Sequence, residues 1–277
     1  MPTDDKADLE QATILLTRPR DQALALSELF ETAGARVIHF PVIEIVPLAL
    51  SDEADEETVR HIIEQLDSYA IAIFISSNAV IQADRIVRRI KGQWPGHLRL
   101  AVIGPASAQA LTAIGLQAEI CPVGDYNSEG LLATATLQQL EGKRVIIFRG
   151  KGGRETLAAE LRRRGAHVDY AEVYQRRRPA IRLADLSQRQ RDAINAIIVA
   201  SNESLQNLYD MADDGNRPWL LGVPLVVISQ RSGALAVELG FKRVVIAEQA
   251  TNQGMFDATL ACLDFQMPEN RDDRGTE

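Results

Sequence analysis

Hydroxyl, amide and basic side chains follow several short apolar runs along this chain. They are Arg18, Ser76, Ser77, Asn78, Ser107, Arg149, Lys151, Ser201, Asn202, Ser229 and Ser232. The apolar runs are typical of buried strands, and ligands bind beyond the carboxyl ends of strands in open parallel sheets. Helix N-termini there offer free N–H groups and the positive end of the helix dipole. The set therefore indicates an anion-binding site, and the alternative for any single serine or asparagine is that it only caps a helix.

Several familiar catalytic motifs are incomplete or absent. The sequence GKGG at 150–153 resembles part of a phosphate loop, but no GxxxxGK[ST] is present, and Glu155 interrupts GxGxxG at its third glycine. GxSxG is absent, which argues against a serine hydrolase. Cys121 and Cys262 are isolated and the four histidines are scattered, so we predict no metal site.

Composition gives the broad class. The 277 residues are 46% hydrophobic and 25% charged, an ordinary globular balance. A net charge of −8 argues against general nucleic-acid binding, which needs a dense basic face. No apolar run approaches the ~20 residues of a membrane span. The opening segment is polar and acidic, unlike a signal peptide, so we expect a cytoplasmic protein that binds neither nucleic acid nor membrane.

Strand-like runs alternate with helical stretches, and their order occurs twice. The first copy comprises a strand at 13–17, a helix at 21–32, Gly34 and a strand at 37–40. The second comprises a strand at 145–148, a helix near 155–164, Gly165 and a strand at 168–170. Arg18 matches Arg149 and Gly34 matches Gly165, both 131 positions apart. A further set of landmarks, including Ser77 with Ser201 and Gly115 with Gly240, repeats at 124 or 125 positions.

This duplication predicts an α/β protein of two similar domains, each a parallel sheet flanked by helices. The segments 40–47 and 172–179 are extended, end at proline and occupy equivalent places, so we predict that they form a two-stranded hinge beside an interdomain cleft. The predicted parts are domain 1 at 1–40 and 178–277, domain 2 at 45–172, and mobile tails at 1–10 and 268–277. We expect Arg18 and Arg149 to border the cleft.

Tyr174 lies in the second predicted hinge segment. Its ring can therefore project into the cleft, with its O–H as a donor. The alternative is an edge-strand tyrosine that is packed for its ring area. Arg176, Arg177 and Arg178 follow it and can line the same region, although a solvated basic run is the simpler interpretation of these three residues.

Five segments occur here in the order and spacing of one enzyme family. They are TRP at Thr17–Pro19 with Gly34 and Pro41 downstream, FISSNAV at Phe74–Val80, VIGPASAQAL at Val102–Leu111, VYQRRRP at Val173–Pro179, and VVIS with an alanine-rich helix at Val226–Ala236. On these segments the chain resembles the uroporphyrinogen-III synthase family from about residue 13 to 263. That family closes linear hydroxymethylbilane into the first macrocycle of haem biosynthesis without a cofactor.

The resemblance implies a tetrapyrrole held in the cleft by backbone amides and hydroxyls. It implies that Tyr174 assists departure of the ring A hydroxyl and that Ser76, Ser77, Ser107 and Ser201 contact the substrate. Family members often carry a GPTTA-like turn where this chain has the sequence SQRS at 229–232, so the hydroxyl role there falls to Ser229 or Ser232. We expect a monomer that makes at most transient contact with hydroxymethylbilane synthase.

The expected mechanism is ionisation followed by directed ring closure. Loss of the hydroxyl gives an azafulvene, and ring D then attacks through its substituted carbon to form a spiro intermediate. Orientation of this kind can supply ~7–11 kcal/mol. Because the substrate carries eight carboxylates, local cations (Arg18, Arg149, Lys151 and Arg231) must outweigh the net negative charge. The alternatives are a non-enzymatic bilobed anion-binding or regulatory module and a nucleotide-sugar transferase, for which no catalytic constellation is visible.

Overall fold

A computed structural model describes residues 9–48, 53–153 and 155–264. The chain divides into two compact units, with boundaries after Glu44 and after Arg177. Unit 2 is the continuous segment Ile45–Arg177, and unit 1 contains the chain on either side of it. Of the predicted tails, only residues 9 and 10 are described. Leu9 is buried and its N–H donates to the Ala33 carbonyl.

The helices and strands are numbered in chain order. The first half contains β1 (Thr13–Leu16), α1 (Arg20–Thr32), β2 (Arg36–His39), β3 (Glu44–Pro47), α2 (Glu53–Glu64), β4 (Ile71–Phe74), α3 (Ser77–Lys91), β5 (Arg99–Val102), α4 (Pro105–Ala113) and α5 (Ser128–Ala133). The second half contains β6 (Arg144–Gly150), α6 (Thr156–Arg163), β7 (His167–Arg177), α7 (Gln188–Ala193), β8 (Ile194–Val199), α8 (Asn202–Asp210), α9 (Arg217–Gly222), β9 (Leu225–Val227), α10 (Gln230–Glu238), β10 (Val244–Ile246) and α11 (Asn252–Asp264).

Each unit is built on a five-stranded sheet. The order is β10-β9-β8-β1-β2 in unit 1 and β3-β7-β6-β4-β5 in unit 2. The pairs in the unit 1 sheet are parallel, as are β7-β6, β6-β4 and β4-β5 in unit 2. The predicted α/β class with two similar, predominantly parallel sheets is confirmed. The hinge and the cleft stay predictions.

The strand β7 is longer than the sequence pattern indicates. Separate segments were expected at 168–170 and 172–179, whereas β7 runs without interruption from His167 to Arg177. It pairs with β6 in register from His167 to Glu172, and then Gly150 lies opposite Tyr174 after a one-residue shift. This irregularity, a β-bulge, places Tyr174 beside the last residue of β6.

Side chains alternate between the two faces of the unit 2 sheet, and each face carries its own core. Ala72, Phe74 and Phe148 pack in one cluster together with residues of α3 and α4. Ile73 and Ile147 pack in the other cluster with residues of α5 and α6. Strands buried on both faces need continuous apolar runs, which is why the sequence shows runs rather than alternation.

The N-cap residues of the helices show which positions of the two sequence repeats are equivalent. Ser76 caps α3 and Ser201 caps α8, so these two serines are equivalent at 125 positions, and the pairing of Ser77 with Ser201 is one residue out of register. Gly104 and Ser229, which are the N-caps of α4 and α10, have the same separation. None of the described helices is both long and apolar enough to cross a bilayer.

Candidate functional site

The hydroxyl of Tyr174 lies at the N-terminus of α3. The chain leaves β4 at Phe74, and Ser76 takes an extended conformation so that its Oγ accepts a hydrogen bond from the Ala79 N–H at 3.1 Å. The same Oγ lies 3.0 Å from the Tyr174 hydroxyl. A 15-residue helix therefore directs the positive end of its dipole toward this hydroxyl pair.

The ring of Tyr174 packs closely against Gly150, and we call this contact the seat of Tyr174. The residue is 1% exposed, and Gly150 lies opposite it in the sheet. A Cβ atom at Gly150 would be 2.7 Å from Cε2 of the ring, so no side chain other than hydrogen fits there without movement. The Lys151 N–H donates to the Tyr174 carbonyl at 2.7 Å, and the Arg176 guanidinium carbon is 5.9 Å from the ring centroid.

Arg149, the last side chain before Gly150, turns into the protein. It is 3% exposed and donates to the carbonyl oxygens of Gly150 and Gly152. It also forms an ion pair with Glu155 at 3.1 Å. The guanidinium therefore lies against the turn that follows β6.

The other residues predicted for unit 2 lie at the same edge of its sheet. Ser77 and Asn78 are the first residues of α3 and are half-buried, and Lys151 is exposed. Ser107 is buried in the first turn of α4, which has Gly104 at its N-cap and no side-chain cap. All of them follow the carboxyl ends of strands, as the sequence predicts, but their substrate contacts stay predictions.

In unit 1 the predicted hydroxyl and amide residues form two hydrogen-bonded groups. Ser201 Oγ accepts from the Ser204 N–H at 3.0 Å and lies 2.8 Å from the Ser204 hydroxyl. The Ser232 hydroxyl donates to Asn202 Oδ1 at 2.8 Å and lies 3.0 Å from Ser229 Oγ. The N-termini of α8 and α10 are thereby joined at the edge of the sheet.

Arg18 is half-buried at the end of β1. Its Nη1 donates to Asn252 Oδ1, on the first residue of α11, at 2.7 Å. Burial lowers its pKa from the ordinary arginine value. The neighbouring Thr17 hydroxyl donates to the Ile198 carbonyl at 2.7 Å and fixes the strand end. Within the described ranges, Arg18 has no carboxylate partner.

The other basic residues that the sequence suggests for the site are exposed. Arg231 is the second residue of α10, and Arg176, Arg177 and Arg178 end β7 and the segment after it. Arg178 pairs with Asp210 at 3.3 Å. Among the residues that the structure describes, no three histidine, cysteine, aspartate or glutamate side chains lie together as a metal site would require.

Sequence reasoning missed Gly150 and Tyr126. The sequence pattern presents Gly150 as part of a phosphate loop, although a glycine at the end of a buried strand also signals a close approach by another group. Tyr126 is 54% exposed and its Cβ lies 3.3 Å from where a Cβ of Gly104 would be. It lies next to Asn127, the N-cap of α5, and its only sequence signal was an aromatic residue in a polar loop.

The chain is similar to known proteins over most of its length. Residues 25–257 match the family model described as "Uroporphyrinogen-III synthase HemD". A uroporphyrinogen-III synthase of Escherichia coli (strain K12) is 33% identical over 249 residues, which cover 89% of this chain and 99% of the relative. One from Proteus mirabilis is 36% identical over 163 residues, which cover 59% of this chain and 79% of the relative.

Two solved structures share the fold. A mutant uroporphyrinogen III synthase from the thermophilic bacterium Thermus thermophilus is 16% identical and has a TM-score of 0.57, with 92% of this chain and 99% of that chain covered. A uroporphyrinogen-III synthetase from Helicobacter pylori 26695 is 13% identical and has a TM-score of 0.55, with 90% and 99% covered. From the family match over most of its length, this chain belongs to the uroporphyrinogen-III synthase family.

Proposed function

We propose that this chain cyclises hydroxymethylbilane with inversion of ring D, giving uroporphyrinogen III and water, and that it is therefore a lyase that needs no cofactor. Family membership supports this reaction over the non-enzymatic anion-binding module. The observation that carries the site assignment is the Ser76–Tyr174 hydroxyl pair at the N-terminus of α3.

The first step needs only modest chemical assistance. The C–O bond of the ring A hydroxymethyl group breaks, and its electron pair goes to the oxygen, which takes up a proton and leaves as water. The positive charge spreads over the pyrrole. Because Tyr174 is buried and Ser76 is half-buried, the accessible surface of the pair belongs to Ser76. The Tyr174 hydroxyl therefore acts through Ser76: it donates to Ser76 Oγ, and the Ser76 O–H donates to the departing oxygen and stabilises the negative charge that develops on it.

The harder task is the choice of the carbon that closes the ring. Closure without the enzyme joins the nearest free carbon and gives the uninverted isomer. The enzyme must hold ring D so that its substituted carbon attacks, and the spiro intermediate then breaks and recloses with ring D inverted. We propose that helix N-termini and Arg18 bind substrate carboxylates for this purpose.

One assay tests the function. Purified protein is given freshly generated hydroxymethylbilane without added metal or nucleotide, and the isomers are separated after oxidation to porphyrins. We expect uroporphyrinogen III in excess over the isomer that forms in a protein-free control. An isomer distribution equal to that control would contradict the proposal. Cytoplasmic location, a monomeric state and contact with hydroxymethylbilane synthase stay predictions.

Tyr174→Phe is expected to lower kcat severalfold or more while the protein stays folded. The change removes the only group of the ring that donates a hydrogen bond, and a single such donor is worth about 10²–10³ in kcat where charge development dominates. The smaller effect is expected here because the azafulvene forms with modest help. Steady-state kcat and the fraction of isomer III are the measurements.

The matched control is Tyr69→Phe. Tyr69 is also buried in unit 2, but its hydroxyl donates to Asp169 at 2.7 Å, near the start of β4 and at the opposite edge of the sheet. We expect this variant to lose some stability and to keep wild-type kcat. Equal kcat in Tyr174→Phe and the wild type would remove Tyr174 from the mechanism.

Arg18→Gln is expected to raise KM about tenfold with a smaller change in kcat, because a hydrogen bond to a charged group is worth about 1.5–3 kcal/mol. Glutamine retains a donor for Asn252 but loses the charge. Arg36→Gln is the control, since Arg36 is exposed at the start of β2, at the other edge of the same sheet. An unchanged KM in Arg18→Gln would show that Arg18 does not bind a substrate carboxylate.

A further inference from the structure

The turn that follows β6 is held from the inside by Arg149. The guanidinium donates to the carbonyl oxygens of Gly150 and Gly152, two residues of the same turn. The Gly152 N–H donates to Glu172 on β7 at 2.9 Å. The turn 150–153 is therefore fixed at its carbonyl side by Arg149 and at its N–H side by Glu172.

The charge of Arg149 is already compensated within the chain. Its guanidinium lies 3.1 Å from Glu155 and 3.8 Å from Glu172, and its Cζ is 4.5 Å from the centroid of the Tyr170 ring. Tyr170 in turn donates to Glu155 at 2.6 Å. Hydrogen bonds from Tyr170, and next from Arg149, lower the pKa of Glu155, so this carboxylate stays ionised beside the guanidinium.

The equivalent residue of the other unit has a different environment. Arg18 lies 131 positions before Arg149, and the residues at the same distance before Glu155 and Glu172 are Leu24 and Pro41. Neither can pair with a guanidinium, and Arg18 bonds to the Asn252 amide instead. The two arginines therefore occupy one position of the repeat with different partners.

The turn that Arg149 holds is also the seat of Tyr174. Lys151, within the turn, donates its N–H to the Tyr174 carbonyl at 2.7 Å. Gly150, at the start of the turn, lies against the Tyr174 ring. A displacement of the turn by about 1 Å, a shift large enough to matter in catalysis, would therefore move the support of the ring. The Tyr174 hydroxyl, which lies 3.0 Å from Ser76 Oγ, would move with the ring.

We propose that Arg149 is a positioning residue: by closing the turn 150–153 it fixes Gly150 against the Tyr174 ring and keeps the Tyr174 hydroxyl on Ser76. This role differs from the substrate contact expected from the sequence. It rests on the proposed function, since it assigns Arg149 to the step in which Tyr174 assists departure of the hydroxyl group.

Arg149→Met tests the proposal, because it keeps an unbranched apolar stem and removes the guanidinium donors. We expect kcat to fall about tenfold, since small displacements of a reacting group have effects of this size or larger, and KM to stay within about twofold. The kcat of Arg149→Lys should lie between those of the wild type and Arg149→Met, because one ammonium group cannot reach both carbonyls and Glu155. Arg162→Met is the matched control: Arg162 also lies over the Tyr170 ring, at 5.7 Å, but its hydrogen bond goes to the Val168 carbonyl, away from the turn.

A double-mutant cycle separates positioning from a general structural defect. If Arg149 acts through the Tyr174 hydroxyl, Arg149→Met should cost less than about twofold in kcat when it is added to Tyr174→Phe. Losses that multiply fully in the double variant would overturn the proposal. So would a raised KM with unchanged kcat in Arg149→Met, which is the result for a substrate contact.

A second variant covers the case in which Arg149→Met does not fold. Glu172→Met removes the acceptor of the Gly152 N–H and leaves the Arg149–Glu155 pair in place. We expect kcat to fall, but by less than in Arg149→Met. The reduction should again be absent when Glu172→Met is added to Tyr174→Phe. Circular dichroism monitors folding. Unchanged kcat in folded Glu172→Met would then overturn the proposal, whereas an inactive wild-type chain would contradict the proposed function itself.

Discussion

Alanine at position 150 is expected to lower kcat for cyclisation of hydroxymethylbilane by about 10- to 100-fold. The new methyl group would lie 2.7 Å from Cε2 and 2.8 Å from Cζ of Tyr174. Because Gly150 does not have a positive φ, the added methyl group meets a steric obstacle and no backbone strain. Because the ring is buried, we expect that either the ends of β6 and β7 separate or the hydroxyl leaves Ser76. Both changes also shift the turn 150–153.

The effect of Gly150→Ala should exceed that of Tyr174→Phe, because it displaces the ring and the turn together, whereas Phe keeps both in place. The control is Gly96→Ala in the same unit, where nothing lies within 4 Å of the added Cβ and φ is not positive. Steady-state kcat, the fraction of isomer III and the melting temperature are measured for both. A Gly150→Ala enzyme with kcat within about twofold of wild type would contradict the importance of this seat.

The elements that flank the site could be predicted from local patterns. The apolar run at 13–17 indicates β1, and the helical spacing before Gly34 indicates α1. Gly34 has φ +89, the left-handed conformation in which a glycine commonly ends a helix. The short strand β10 and the charged helix α2 were not identified. In α2, only Val59 and Ile63 are buried at a helical spacing among the described side chains, which is too weak a signal among its many charges.

The positions of the candidate residues at the strand ends could be predicted, but their contacts could not. Capping is local, so Ser76 and Ser201 were found from serines that follow strands. The contact between Ser76 and Tyr174 spans 98 positions and depends on the bulge at the end of β6, which no sequence pattern specifies. The repeat predicts the same role for Arg18 and Arg149, because the two residues are equivalent in it.

The difference between these two arginines was nevertheless present in the sequence. Glu155 and Glu172 have Leu24 and Pro41 as their equivalents, so only the second copy can compensate a buried guanidinium. A buried charge is retained only when it is paired, and a paired guanidinium has little left to offer a substrate carboxylate. The proposed roles differ accordingly: Arg18 binds a substrate carboxylate in the proposed function, whereas Arg149 is proposed to position a turn.

Phe148→Ala is expected to destabilise unit 2 by about 3–5 kcal/mol. Phe148 is fully buried and stacks on Phe74, with ring centroids 5.1 Å apart and planes 9° apart. Trp94 meets it edge-on at 5.6 Å. Truncation removes both ring contacts and leaves a cavity between α3 and the sheet, next to the strand end that carries Gly150.

Urea unfolding followed by tryptophan fluorescence measures this loss. Trp219→Phe supplies the background, because Trp94 is then the only tryptophan and reports on unit 2 through its contacts with Phe74 and Phe148. Val123→Ala is the control: Val123 is 98% exposed, and we expect a change within about 0.5 kcal/mol. A loss below about 1 kcal/mol for Phe148→Ala at unchanged denaturant dependence would mean that the cluster relaxes to fill the cavity. The seat of Tyr174, built on the same strand, would then tolerate movement as well, and the tenfold or larger loss expected for Gly150→Ala would shrink with it.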